Sequence, residues 1–367
     1  MLFPHSQFQT EIETQIGRTF MSPNLQQAIV SFTACVLLTP VVRTVAIRSG
    51  LYDMPGELKI HSVPIPRLGG IALMAGILAG TLFSPLISRA GSAVVIILAV
   101  IWAVGLLDDL KSTSPLLRLT VDLGCGTAIW LLGWKMQWFS NPYLDLGATA
   151  VLLAFAINSM NLLDGMDGLA LTVSGIASIG FIILFSGRPI GFASGLAWTL
   201  AGTCAAMFVY NCPPARIFIG DSGSTLLGAA LTFLALDWVR TDPATHSILV
   251  PLTFLGLPLA DTIAAVIRRL RGRQSPFAGD RRHFYDLLLR RGWSVRQVLA
   301  VSAIATLVFV MASLAFTREG VAYRLPLFIC LGLCGFLGFH LGSFDPERPA
   351  VEKSVPPQQF EQRLNEE

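Results

Sequence analysis

Apolar residues run along this chain in long unbroken blocks separated by short polar breaks. A helix needs a block of about 20 such residues to cross a bilayer. Eleven blocks qualify, at roughly 25–45, 69–88, 92–108, 117–134, 144–160, 169–186, 190–209, 224–239, 247–267, 297–316 and 323–343. None alternates with period two, and backbone within hydrocarbon must satisfy its own hydrogen bonds. The pattern therefore predicts an all-α, polytopic membrane helical bundle of about eleven transmembrane helices, neighbours being packed where the turns are tight. Three regions follow: an N-terminal tail over 1–24 outside the membrane, a membrane-embedded domain over 25–343, and a cytoplasmic, polar tail over 344–367 expected to lack fixed structure.

Charge sharpens this picture. Only 13% of residues are charged, against roughly 25% in soluble domains, which excludes an ordinary soluble protein. If the first block runs from outside to inside, 19 of the 26 Lys and Arg residues fall on the inner side and 7 on the outer. Positive loops stay in the cytoplasm, so the N-terminus is placed outside and the C-terminus inside. The six cysteines, at 35, 125, 204, 212, 330 and 334, form no CxxC pair and read as small buried hydrophobes. Residues 1–20 lack the basic-then-apolar order of a cleavable signal peptide, and Met21 is a candidate start.

The carboxylates obey the same division. Asp108 and Asp109 close the third block, Asp164 and Asp167 follow the fifth, and Asp221 follows the seventh, so all five reach the cytoplasmic face. Acidic residues contribute little to insertion topology, and their convergence points to a site. The densest stretch is 158–168, Asn-Ser-Met-Asn-Leu-Leu-Asp-Gly-Met-Asp-Gly, in which Asn158 and Asn161 precede Asp164 and Asp167. Adjacent helical residues point about 100° apart, so Asp108 and Asp109 cannot both face one ligand from a regular turn. One would bind a cation or take a proton while the other orients neighbours; a solvated pair at a helix end is the bland alternative.

Asp221 sits in Ile-Phe-Ile-Gly-Asp-Ser-Gly-Ser at 217–224, where Ser222 and Ser224 are placed to cap the following helix. Backbone N–H groups at a helix start attract phosphate. A carboxylate there repels phosphate unless a cation intervenes, and Mg2+ commonly bridges one or two carboxylates to a diphosphate. An Asp that merely caps the helix is the alternative.

Bases with complementary logic share the inner side: Lys59, Arg67, Lys111, Arg118 and the arginines around 281–291, including Arg281 and Arg282. Acids and bases together suit a phosphate ester with a metal. Arg268, Arg269, Arg271 and Arg273 read as topological charge attracted to anionic lipid. Arg118 and Asp122 have the spacing of an i,i+4 pair. Residues 281–291 read as an amphipathic interfacial helix, with Phe284, Leu287 and Leu288 on one face and Gly292 at its stop. His283 and Asp286 are spaced to point together. Asp261, inside the ninth block, should face the bundle, with no partner assignable.

Taken together, these stretches resemble the polyprenyl-phosphate N-acetylhexosamine-1-phosphate transferases (glycosyltransferase family 4), which include the phospho-MurNAc-pentapeptide translocase and the undecaprenyl-phosphate GlcNAc-1-phosphate transferase. The resemblance covers about 25–345. Its parts come in family order: Lys59 through Pro-Arg-Leu-Gly-Gly at 66–70, Gly-Leu-Leu-Asp-Asp at 105–109, the 158–169 stretch, Ile-Phe-Ile-Gly-Asp-Ser-Gly-Ser at 217–224, and Asp-Arg-Arg-His at 280–283.

The resemblance implies a role for each. Asp221 matches the Mg2+ ligand, with Mn2+ as a substitute. Asp108 and Asp109 match the acidic pair acting on the lipid phosphate, Asp108 as base. Asp164 and Asp167 are implied catalytic residues with His283. Lys59, Lys111, Arg118, Asn158, Asn161, Arg281 and Arg282 are implied substrate-binding residues. The implied partners are polyprenyl phosphate, a UDP-N-acetylhexosamine, the lipid bilayer and a second copy in a homodimer, with no nucleic acid. The implied location is the bacterial inner membrane, with the site facing the cytoplasm. Many members carry a histidine cluster where this chain has His283-Phe-Tyr-Asp286. That departure weighs against the pentapeptide-linked donor and toward GlcNAc or a modified relative such as FucNAc.

Two other classes remain open at this point. A secondary transporter would place acids near mid-span and show an internal repeat. A CDP-alcohol phosphotransferase would place them along one short helical motif. Here the acids lie at helix ends and come from three separate stretches.

Overall fold

The computed structural model describes residues 22–55, 63–83, 88–188, 191–241, 247–275 and 282–319. Within them the chain forms α1 (Pro23–Arg48), β1 (Tyr52–Asp53), β2 (Ile65–Pro66), α2 (Gly69–Leu82), α3 (Arg89–Lys111), α4 (Pro115–Leu131), α5 (Pro142–Leu163), α6 (Leu169–Leu184), α7 (Phe192–Asn211) and α8 (Gly220–Thr241). There follow α9 (Leu249–Leu252), a 3-10 turn over Thr253–Leu255, α10 (Gly256–Arg271), α11 (Phe284–Arg290) and α12 (Val295–Glu319).

Local chemistry explains where several helices begin. Ser22, Ser88, Ser114 and Asn141 each accept a hydrogen bond from an amide of the turn that follows. Proline occupies the first helical position of α1, α4 and α5, where its missing N–H costs nothing.

Ten of the eleven expected blocks fall on described helices, α9 and α10 sharing one; the block at 323–343, like both tails beyond the described termini, lies outside the described residues. Seven helical stretches are long and apolar enough to cross a membrane: α1, α3, α5, α7, α8, α9–α10 and α12. The apolar α2 and α6 have 14 and 16 residues and α4 has 17, so these reach only about 21–26 Å at 1.5 Å per residue, short of a hydrocarbon core of about 30 Å. Large apolar side chains such as Leu37, Ile96, Leu131, Val151 and Ile304 face outward, as a multi-pass membrane protein requires and a soluble one avoids.

The helices surround α8, every residue of which from Ser222 to Val239 is buried. α3 and α5 pack along it, α1, α2 and α7 form a group beside it, and α12 lies against α6. Successive helices alternate in direction, so the end of α3, the end of α5 and the start of α8 meet at one end of the bundle. There β2 pairs antiparallel with β1, Tyr52 opposite Pro66. The 217–219 segment docks beside it: Phe218 N–H donates to Pro66 O (2.9 Å), and the amides of Gly69 and Gly70 donate to Phe218 O (2.9 Å) and Ile219 O (2.8 Å). At the far end Asp237 of α8 accepts from the Trp134 indole at 2.8 Å and from Arg240.

The α3–α8 approach is close because Gly105 has no side chain. A Cβ there would sit 2.7 Å from Ser222 Cα and 2.8 Å from Asp221 O. Gly105→Val is expected to force the helices apart at a cost of about 1–3 kcal/mol. The check is the midpoint of thermal unfolding in detergent, which should fall; an unchanged midpoint would contradict this packing.

Candidate active site

α8 starts in a buried setting, where its first amides have no intrahelical acceptors and little access to water. Gly220 turns the chain with a φ of +68°, and Asp109, reaching over from α3, supplies the acceptors. Its Oδ1 accepts from Asp221 N–H at 2.8 Å; its Oδ2 accepts from Ser222 N–H at 3.1 Å and from the Ser222 hydroxyl at 2.6 Å. A side chain at Gly220 would run into that carboxylate. The expected caps, Ser222 and Ser224, are thus corrected. Ser222 is already helical and donates to Asp109, and Ser224 Oγ lies within hydrogen-bond reach of Gly220 O at 3.2 Å.

Asp108 points elsewhere, as adjacent helical residues must. It accepts from the Thr113 amide, from Thr113 Oγ1 at 2.6 Å and from Arg118 Nη1 at 2.8 Å. The same Nη1 donates to Asp221 Oδ2 at 2.7 Å. Asn161, with its carboxamide oriented to suit its neighbours, donates to Ser224 Oγ at 3.0 Å and to Asp221 Oδ1 at 3.2 Å, and accepts from Arg118 Nη2. Arg118 therefore joins three stretches far apart in sequence. Its spacing to Asp122 does not make an ion pair: from the first turn of α4 the guanidinium reaches the two acids, and Asp122 is met by Asn158 Nδ2 at 3.4 Å instead.

Asp167 turns toward the 212–219 loop and accepts from Ala215 N–H at 2.8 Å. Asn211 braces that loop, accepting from Gly168 N–H at 2.9 Å and donating to Ile217 O at 2.8 Å. It went unread in the sequence, where it is one polar residue closing an apolar block. Asp164 differs from its neighbours. No side-chain hydrogen bond or ion pair from a described residue reaches its carboxylate. Burial, and then the facing charges of Asp221, Asp109 and Asp167, hold its pKa well above the usual carboxylate range.

Of the remaining expected residues, Lys111 is exposed at the end of α3, and Asn158 faces Asp122 and its own helix, bonding Ala154 O at 2.8 Å. Arg282 is half-buried, whereas Lys59 and Arg281 lie outside the described residues. His283 is buried and its Nδ1 lies 2.5 Å from Asp261 Oδ2. This supplies Asp261 with a partner and replaces the expected His283–Asp286 pairing. α11 buries Tyr285, Asp286, Leu287 and Leu288 against the protein, so its inner face is protein-packed; Gly292 stops it with a φ of +89° as expected. Arg268 and Arg269 are buried at 2% and 4% exposure, which corrects their reading as lipid-facing charge. Cys35, Cys125 and Cys204 are buried thiols, Cys212 is half-buried, and positions 330 and 334 lie outside the described residues.

Among the described residues no three His, Cys, Asp or Glu side chains form a ready-made metal cage. The donors at the cluster are all oxygens, and among the described residues Asp164 meets no counter-charge, only the negative field of Asp221, Asp109 and Asp167. That suits a hard cation completed by substrate phosphate and water, as Mg2+ usually is.

Comparison with known proteins decides the family. The chain is 33% identical over 321 residues to the probable undecaprenyl-phosphate N-acetylglucosaminyl 1-phosphate transferase of Bacillus subtilis, covering 84% of this chain and 88% of that protein. The chain belongs to glycosyl transferase family 4. The family's model matches residues 92–239, which hold Asp108, Asp109, Arg118, Asn161, Asp164, Asp167 and Asp221. Two further similar proteins are the undecaprenyl-phosphate alpha-N-acetylglucosaminyl 1-phosphate transferase of Escherichia coli K12, 31% identical over 289 residues (72% of this chain, 76% of that protein), and the decaprenyl-phosphate N-acetylglucosaminephosphotransferase of Mycobacterium tuberculosis H37Rv, 28% over 326 residues (76% and 80%). The resemblance read from the family's motifs is borne out, and the transporter reading finds no support.

The state of Asp164 generates a prediction. Its folded-state pKa lies above its unfolded one, so ionisation costs the folded state. Metal-free protein should lose stability as pH rises from the ordinary carboxylate range through the raised pKa. Asp164→Asn removes the ionisation. In EDTA its unfolding midpoint should exceed the parent's at pH 8 and converge with it near pH 4. A parent midpoint that rises with pH over this range, with no gain in the variant, would contradict the assignment.

Proposed function

We propose that this protein transfers sugar 1-phosphate from a UDP-N-acetylhexosamine to polyprenyl (undecaprenyl) phosphate and releases UMP. It does so at the cytoplasmic face of a bacterial inner membrane, as the initiating step of lipid-linked cell-envelope glycan synthesis. The observation that carries this reading is Arg118 held between Asp108 and Asp221 beside Asp164, a cation and several acids gathered from separate helix ends where phosphate groups can enter. The inner placement is supported by Arg43, Arg67, Lys111, Arg118 and Arg216, which share that end of the bundle. Assembly as a homodimer belongs to the same proposal by family analogy. The relatives' names favour GlcNAc as the donor sugar, with a modified N-acetylhexosamine such as FucNAc next.

In the reaction an oxygen of the lipid phosphate forms a bond to the sugar-bearing β-phosphorus, the bond from that phosphorus to the bridging oxygen breaks, and UMP leaves with the electron pair. A phosphate monoester has a second pKa of about 6 and is largely ionised at neutral pH, so no strong base is needed. Asp108, held by Thr113 and Arg118, is suited to fix the guanidinium rather than to take a proton. Asp109 shapes the α8 start, and Asn161 and Arg118 align the diphosphate. Asp221 and Asp164 would hold Mg2+, or Mn2+, which when bound supplies charge neutralisation at the diphosphate. His283, Lys111, Lys59, Arg281 and Arg282 would meet the donor. Such a site works by alignment and charge stabilisation rather than covalent help.

The test is UMP release by purified protein in detergent with undecaprenyl phosphate and Mg2+, across a panel of UDP-sugars. Release is expected to need both lipid and metal and to be fastest with UDP-GlcNAc. Asp221→Ala and Arg118→Ala should each lower kcat by about 100-fold or more while the protein remains folded. No release with any donor, or full activity in both variants, would overturn the reading.

A further inference from the structure

α10 carries one carboxylate whose role the transfer chemistry leaves open. Asp261 is 8% exposed on an apolar helix, a placement that is costly unless the charge is well partnered. Both its oxygens go to a single turn 22 residues further along the chain: Oδ2 meets His283 Nδ1 at 2.5 Å, and Oδ1 accepts from Phe284 N–H at 2.9 Å. The His283 ring lies parallel to that of Tyr285, with centroids 5.6 Å apart and planes 7° from each other. Tyr285 in turn donates through its hydroxyl to Leu162 O at 3.3 Å and packs over Gly165, where only a hydrogen fits beneath it. An unbroken chain of contacts thus runs from Asp261, through His283 and Tyr285, to the loop that carries Asp164 and Asp167.

We propose that Asp261 is a positioning residue for His283. By committing Nδ1 to α10 it fixes the tautomer and turns the Nε2 edge away from that helix, so that Nε2 serves the nucleoside-diphosphate end of the donor. A carboxylate behind an imidazole does this wherever the ring must act through its other nitrogen. The Phe284 bond adds a second restraint: it ties the backbone beside His283, at the start of the turn that seats Tyr285 on the acid loop, to the same carboxylate. The inference rests on the transferase reading and on His283 meeting the substrate.

The experiment is a double-mutant cycle on full-length protein, with steady-state UMP release as readout. Asp261→Asn keeps the shape and removes the charge. It is expected to lower kcat by about 10- to 100-fold, the usual range for loss of such a partner, with little change in KM for polyprenyl phosphate. His283→Gln should lower kcat at least as much. In the His283→Gln background Asp261→Asn should then change kcat by less than about 2-fold, because a residue acting only through His283 has nothing left to position. Losses that multiply in the double variant, or an Asp261→Asn enzyme as fast as the parent, would overturn the proposal. A parent without activity would instead indict the transferase reading. If Asp261→Asn does not fold, Asp261→Glu, which keeps the charge and shifts it by one methylene, takes its place in the cycle with the same expectation.

Discussion

A helix buried on every side cannot leave its first amides to water, and this constraint organises the molecule. α8 is such a helix, and Asp109 satisfies its start from α3. The arrangement holds only if α3 and α8 nearly touch, which Gly105 allows, and if the chain can turn at Gly220 directly beneath the carboxylate. Hydrogen bonds to a charged group contribute roughly 1.5–3 kcal/mol each, and leaving the donors unmet is costlier still. One acid of the Asp108–Asp109 pair is therefore spent on architecture. Its neighbour is turned about 100° away along the helix and meets Thr113 and Arg118 instead.

That division places Arg118. Asp108 and Asp221 are brought close by the same α3–α8 contact and would repel each other without a cation between them. The guanidinium fills the gap with one nitrogen and reaches Asn161 with another. Arg118 offsets only part of the cluster's negative charge, and Asp164, faced by Asp221, Asp109 and Asp167, meets no cation among the described residues. Under the transferase proposal, Asp164 marks the edge that would take a cation and Arg118 the side that would meet the diphosphate.

The rim of the cluster follows a different logic. α11 is short, and nothing in its own seven residues would hold it. It is fixed by what it touches: Asp261 from α10 at its start and the acid loop beneath Tyr285. The turn that carries His283 and the shape of the acid loop are consequently linked through one aromatic side chain, Tyr285.

The sequence alone determined the membrane bundle, because hydrocarbon demands long apolar helices and leaves them visible as uninterrupted blocks. It also determined the family, through Asp108–Asp109, the 158–168 stretch and the 217–224 stretch, whose polar density has no other reason to sit between apolar blocks. Side-chain direction was only partly legible. That Asp108 and Asp109 diverge follows from helical geometry, but which of them caps α8 depends on how α3 and α8 pack. Spacing within one helix suggested Arg118 with Asp122 and His283 with Asp286. Tertiary structure chose Asp108 with Asp221 for the first and Asp261 for the second, since long side chains at helix ends reach partners from other segments more readily than neighbours on their own. Arg268 and Arg269, two charges that looked fit for lipid, are enclosed by protein for the same reason. Local pattern fixes which residues are helical and apolar, whereas the pairing of charges is decided by contacts between separate elements, 22 residues apart for His283 and Asp261 and 103 for Arg118 and Asp221, which only the folded chain brings together.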